Sequence, residues 1–187
     1  MLNPFKIIEL FISLVGIVLS NMLTLYFSIP IGFTEIKIIE IPLTWQIPLI
    51  IFLTLTFKQE IILTAYSIYI FIGLFVLPVF SDGGSLGYLL LPNFGYLLGI
   101  FLLINSFSNL NKAREITTRR FLESSLNGLL KMHTIGIIYI FILFSFYDNL
   151  DMIFYNIGRF TISKLPYQLL MLLPLIVLLK YTRRLRI

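Results

Sequence analysis

The sequence predicts an all-α integral membrane protein, a six-transmembrane-helix bundle forming a single membrane domain over residues 1–187. Three observations carry that prediction. Hydrophobic residues make up 58% of the chain and charged residues only 12%, with a mean hydropathy of +0.97, against about 25% charged in soluble domains. Between Ile61 and Asn111 the single charged residue is Asp82, and a stretch that long crosses a bilayer twice at about 20 residues per crossing. The basic residues gather beside the apolar segments, as orientation signals do.

Six apolar segments follow in order. The first runs from about Phe5 to Ile29 and is uncharged from Leu10 onward. It is long and lacks a small-residue cleavage site, so it reads as a membrane helix and not as a cleaved signal. The second, about Trp45 to Phe57, is short and carries Pro42 and Pro48 at its start. The third spans about Ile61 to Leu77 and the fourth about Leu86 to Ser108. The fifth, about Ser124 to Tyr147, has Lys131 and His133 in its first half. The sixth, about Lys164 to Leu179, holds Pro174 mid-span, where a helix kinks. Short spans of this kind are tilted, broken or shielded by neighbours.

Six spans place the N-terminus, the second and fourth connections and the C-terminus on one side. That side holds Lys6, Lys58, Lys112, Arg114, Arg119, Arg120, Lys180, Arg183, Arg184 and Arg186, against Lys37, Arg159 and Lys164 on the other. Ten against three is a strong positive-inside asymmetry, so both termini are expected in the cytoplasm and the chain in the cytoplasmic membrane. The net charge of +5 is explained by this clustering, and no nucleic-acid partner is expected. The external connections are then about Pro30 to Thr44, Pro78 to Ser85 and Asp148 to Ser163. The second contains Ser81-Asp82-Gly83-Gly84-Ser85, a density of small residues that builds a preformed turn able to line a cavity.

Chemistry beyond binding finds little support. His133 is the single histidine and cysteine is absent, so neither a two-histidine zinc helix nor a thiolate site can form. No metal and no cofactor are expected. His133 reads as a polar residue near the cytoplasmic end of its helix. Asp148 and Asp151 read as solvated loop residues. No nucleophile, base and orienter assemble from neighbouring motifs, and an enzyme is not expected. There is no phosphate-binding loop for ATP and no acid at the centre of a span to couple an ion. Gly16 and Ser20 form a small-xxx-small pair on the first helix, suited either to a partner helix or to internal packing. Trp45 suits interfacial anchoring or stacking on a flat ligand. The tail Lys180–Arg186 suits orientation or anionic lipid.

The run Gly73-Leu74-Phe75-Val76-Leu77-Pro78-Val79-Phe80, then Gly83-Gly84, then Pro92-Asn93-Phe94-Gly95-Tyr96-Leu97-Leu98-Gly99 resembles the BioY proteins. These are the biotin-specific substrate-binding (S) components of energy-coupling factor transporters. Ile41-Pro42-Leu43-Thr44-Trp45-Gln46 is similar to that family's Pro-Ile-Thr-Leu-Gln motif. The resemblance covers about Ile41 to Phe101 well and the rest by helix placement. It implies an S-component-like bundle with an externally open vitamin pocket, powered by a transmembrane coupling protein and an ATPase pair. Gly16 and Ser20 would bind that coupling protein. The family's Gly-Pro-Thr is Leu91-Pro92-Asn93 here. Its Gly-Asp-x-x-Lys signature near the sixth helix falls on Tyr167, Gln168 and Met171, so the acid and lysine that contact biotin are gone. Each buried charged hydrogen bond is worth roughly 1.5–3 kcal/mol. Either Gln168, Asn93 and Lys164 take over the polar contacts, or the ligand differs.

The expected ligand contacts are Thr44 and Gln46 as hydrogen-bonding groups and Trp45 as an apolar wall. Gly83 and Gly84 are expected to allow close backbone approach, and Asn93, Tyr96 and Gln168 to add polar or stacking contacts. Biotin is the leading ligand. The alternatives are another small vitamin-like ligand, or a non-transporting assembly protein held by partner contacts in the bilayer.

Overall fold

The computed structural model describes residues 4–31, 35–112, 116–145 and 150–184. Three helical runs are long and apolar enough to cross a membrane: Pro4–Met22, Thr118–Ser145 and Leu150–Tyr181. Three shorter apolar helices, Gln46–Thr56, Gln59–Phe75 and Phe94–Leu110, accompany them. In chain order the helices are α1 (Pro4–Met22), α2 (Gln46–Thr56), α3 (Gln59–Phe75), α4 (Phe94–Ser106), α5 (Ser108–Lys112), α6 (Thr118–Ser145), α7 (Leu150–Ile157), α8 (Leu165–Leu170) and α9 (Leu172–Arg184). Short 3₁₀ and π segments occupy Leu86–Leu90 and Gly158–Ile162. Large apolar side chains such as Phe5, Phe11, Leu130 and Ile142 stay exposed on the long helices, the arrangement of a protein whose outer solvent is lipid. This is a membrane protein.

Three boundaries differ from the sequence expectation. The first helix ends at Met22, and Thr24–Ile31 instead forms strand β1, paired antiparallel with β2 (Glu35–Thr44). The register runs from Ile31↔Glu35 to Thr24↔Thr44, with an irregularity between Thr24 and Leu25. The run Thr-Leu-Tyr-Phe-Ser-Ile-Pro-Ile is rich in aromatic and β-branched residues and contains a proline with no N–H for a helix. The first connection is therefore a hairpin. The fifth segment starts at Thr118, well ahead of Ser124, which moves His133 to the middle of α6. The last connection is helical over most of its length, as α7 and the π segment. Asp148 lies outside the described residues, as do Arg114 and Arg186, and Asp151 is exposed in the first turn of α7. The break near Pro174 falls at Met171. A proline ring clashes with the carbonyl of the fourth residue before it, here Leu170, so α8 stops there and Pro174 sits in the first turn of α9.

Glycines set the closest packing. A Cβ on Gly99 of α4 would lie 2.5 Å from the carbonyl oxygen of Met132 on α6, and one on Gly95 would lie 2.3 Å from Tyr139 Cβ. From the other side, a Cβ on Gly136 would strike the Tyr96 ring at 2.5 Å and one on Gly128 would meet Leu103 at 2.7 Å. Gly95 and Gly99 form a GxxxG face that brings two helix backbones together, and α4 with α6 is the most extensive helix pair. Gly16 faces Leu49 of α2, 3.3 Å from its would-be Cβ, and Ser20 is buried with its hydroxyl on the carbonyl of Ile17. Both residues thus make contacts inside the chain, the internal-packing role that the small-xxx-small pair also suits.

Gly99→Ala is expected to lower the melting temperature in detergent, since overpacking costs about 1–3 kcal/mol. Gly158→Ala, where a Cβ would meet nothing within 4 Å, is expected to leave it unchanged. Equal melting temperatures for the two variants in a thermal-shift assay would refute the close α4–α6 contact.

Candidate functional site

One end of the bundle encloses a cavity of about 370 Å³, within the range of small-molecule sites. The end of α1 supplies Asn21, whose amide donates to the carbonyl of Val79 at 3.1 Å and so ties α1 to the connection after α3. The end of β2 supplies Thr44, and the start of α2 supplies Gln46 and Ile47. Gln46 is buried and donates to Tyr69 Oη at 3.2 Å. The apolar wall comes from Leu97 and Ile100 of α4, Met132 of α6 and Phe160.

The connection between α3 and α4 brings Ser81, Asp82, Tyr88 and Asn93 to the cavity. Its shape is set by the chain's own backbone. Gly83 has φ of +107° and exchanges backbone hydrogen bonds with Phe80, and Ser85 follows at φ of +99°. A Cβ on Gly84 would lie 2.6 Å from Pro78 Cα and 2.7 Å from the carbonyl oxygen of Gly73. Asn93 Nδ2 donates to Asp82 Oδ2 at 2.6 Å and to Tyr88 Oη at 2.7 Å. A carboxylate only accepts, so the amide nitrogen must be the atom facing Asp82. Both amide hydrogens are then committed, and Asn93 keeps its carbonyl Oδ1, which has no partner among the described residues. Burial pushes the Tyr88 hydroxyl up to about 12, with the Asp82 charge adding to it against hydrogen bonds from Ser81 and Asn93. Tyr88 therefore stays neutral at physiological pH.

Two cations also line the cavity. Arg159 Cζ lies 5.2 Å and Lys164 Nζ 4.9 Å from the centre of the Phe160 ring, both within cation–π range. Beneath them Gln168, buried at 5% exposure, accepts from His133 Nε2 at 2.8 Å. His133 Nδ1 lies 3.2 Å from Thr161 Oγ1, which is 2.7 Å from Tyr96 Oη. The Tyr96 ring meets His133 edge-on with centroids 5.5 Å apart. His133 is thus a buried member of the cavity's supporting network, and the reading of it as a polar residue near a helix end is corrected: α6 extends a further turn and more toward its N-terminus.

Of the expected contacts, Thr44, Gln46, Asn93, Tyr96 and Gln168 line this cavity, while Trp45, Gly83 and Gly84 stand outside it. Trp45 is 42% exposed, with its backbone N–H on the carbonyl of Leu23, so it forms no wall of the cavity. Gly83 and Gly84 serve the turn, and the backbone that approaches Gly84 belongs to Pro78 and Gly73, not to a ligand. Sequence reasoning named Lys164 as a possible replacement polar contact, but it passed over Arg159, which it counted only as an orientation signal, and Asp82, whose isolation in an uncharged stretch was the available clue. Asn21, Tyr88, Met132 and Phe160 carried no such signal.

Residues 1–185 match the BioY family. The chain belongs to the BioY family. Among similar proteins is the probable biotin transporter BioY of Lysinibacillus sphaericus, 28% identical over 121 residues, which is 64% of this chain and 61% of that relative's length. Among solved structures, the S-component for biotin from an ECF-type ABC transporter superposes with a TM-score of 0.65 at 22% identity, covering 100% of this chain and 94% of that one. The BioY fold thus extends over the whole chain.

Asn93→Asp replaces the donor facing Asp82 with a second carboxylate, and like charges that close raise a carboxyl pKa in the folded state. A raised carboxyl pKa costs stability above the unfolded value of about 3.9. The loss of melting temperature relative to wild type is therefore expected to be small at low pH and to grow toward neutrality. A loss independent of pH would show that Asn93 does not face Asp82.

Proposed function

We propose that this protein is the biotin-binding membrane component of a vitamin importer. The observation that carries the reading is a cavity with convergent polar groups in a chain that belongs to the BioY family. The three long helical runs and the three shorter apolar helices then make six passes of a single membrane domain in the cytoplasmic membrane. Both termini are cytoplasmic, and the cavity lies on the side away from the basic clusters. A transmembrane coupling protein and a pair of ATPases are the proposed partners, with capture outside preceding release inside. The role is binding and carriage, not catalysis.

Biotin joins a cyclic urea to a hydrocarbon tail ending in a carboxylate, and the cavity offers a counterpart to each. Arg159 and Lys164 suit the carboxylate, charge-assisted donors being the stronger kind. Ile47, Leu97, Ile100, Met132 and Phe160 suit the hydrocarbon. Thr44, Gln46, Asn93, Tyr96 and Gln168 remain for the urea. Partial compensation for the family's missing acid and lysine comes from these uncharged groups.

Isothermal titration of the purified full-length chain with biotin is expected to show saturable one-to-one binding in the nanomolar range. A monodisperse, helical sample that binds no biotin would overturn the substrate. Arg159→Ala combined with Lys164→Ala is expected to weaken biotin about tenfold or more while leaving biotin methyl ester unaffected. An equal loss for acid and ester would place the carboxylate elsewhere.

A further inference from the structure

Gln168 lines the cavity and is held from behind by the buried His133. Its carbonyl Oε1 lies 2.8 Å from His133 Nε2, so that nitrogen carries the proton. His133 Nδ1 is then an acceptor and takes the Thr161 hydroxyl hydrogen at 3.2 Å. Thr161 Oγ1 in turn accepts from Tyr96 Oη at 2.7 Å. Every donor in the sequence Tyr96, Thr161, His133, Gln168 finds its acceptor, and the relay runs in one direction. It ends with the Gln168 carbonyl consumed and the Nε2 amide group unpaired among the described residues, on a side chain that is 5% exposed and lines the cavity.

We propose that His133 is a positioning residue that locks Gln168 as a hydrogen-bond donor to the ligand, so that this wall of the cavity selects a carbonyl acceptor and rejects an N–H at the same place. The assignment rests on the biotin reading of the site and names the group recognised there, the carbonyl of the cyclic urea. It has a counterpart in the same cavity. Asn93 spends both amide hydrogens on Asp82 and Tyr88, which leaves it a carbonyl suited to a urea N–H. Two amides of the same chemistry are thus held in opposite senses by their neighbours. Their polarity is set by hydrogen-bond partners, the Asp82 carboxylate and Tyr88 for Asn93 and His133 for Gln168.

The test uses the full-length protein titrated with biotin and with 2-iminobiotin, whose ring carries a protonated C=NH where biotin has C=O. Wild type is expected to prefer biotin. Gln168→Glu keeps the shape and the acceptor for His133 but turns the group facing the ligand from donor to acceptor. The ratio of biotin to 2-iminobiotin affinity is expected to fall by about tenfold or more. His133→Phe frees the Gln168 amide to turn either way and is expected to reduce the same ratio by about threefold, since a net hydrogen bond is worth about 0.5–1.5 kcal/mol. An unchanged or increased ratio in Gln168→Glu, or an equal loss of both ligands in His133→Phe, would overturn the proposal. A folded wild type that binds neither ligand would overturn the biotin reading itself, so the two failures are separable.

Discussion

The contact between α4 and α6 at Gly99 and Met132 is the constraint on which the rest of the molecule depends. Lipid tails are as apolar as leucine, so burial alone does not pull membrane helices together, and close backbone approach has to supply the attraction. Gly95, Gly99, Gly128 and Gly136 clear the space on both helices. The same approach presses the Tyr96 ring into the place where Gly136 has no side chain and sets it edge-on to His133. Asn93, immediately before α4, is thereby held in the lining of the cavity. Packing and site are one arrangement.

A second restraint works from α3. Tyr66, Tyr69, Phe80, Tyr88, Phe94 and Tyr139 form a chain of ring contacts with centroids 4.5 to 6.4 Å apart, running from α3 through the connection to α4 and α6. The hydroxyl of Tyr66 reaches the carbonyl of Leu97 at 2.8 Å, and that of Tyr139 reaches the carbonyl of Leu89. This chain fixes a connection whose own backbone is costly, because Ser85 at φ of +99° occupies a region natural to glycine. Asp82 is thus presented from a rigid turn and not from a loose loop.

Much of this was legible in the residues. Low charge, the basic clusters and the isolation of Asp82 revealed a helical membrane protein, and the Pro92-to-Gly99 run pointed to the family. Five of the expected contacts line the cavity, and three of them, Gln46, Asn93 and Tyr96, sit at helix starts, where motif position and spatial position nearly coincide. Other features resisted reading for physical reasons. Hydropathy does not distinguish a helix from the strand at Thr24–Ile31, since both are apolar. Gly83 and Gly84 looked like room for a ligand because a tight turn and a close ligand approach demand the same residue. The partnership of His133 with Gln168 joins residues 35 apart in sequence, and neither neighbourhood carries a trace of it.

The depth of the cavity has an electrical consequence. α2 has 11 residues, and at about 1.5 Å per residue it rises only about 16 Å. Its first residue, Gln46, meets Tyr69, which stands ten residues beyond Gln59, the first residue of α3. That is about 15 Å by the same measure. Both helices leave the turn at Lys58, so on the proposed orientation the cavity floor lies near the middle of a hydrocarbon layer about 30 Å thick. A full charge crossing the membrane exchanges about 2.3 kcal/mol with each 100 mV of potential. An anionic ligand entering from outside to that depth would traverse part of this field against an inside-negative voltage. On that orientation its occupancy would fall as the membrane polarises.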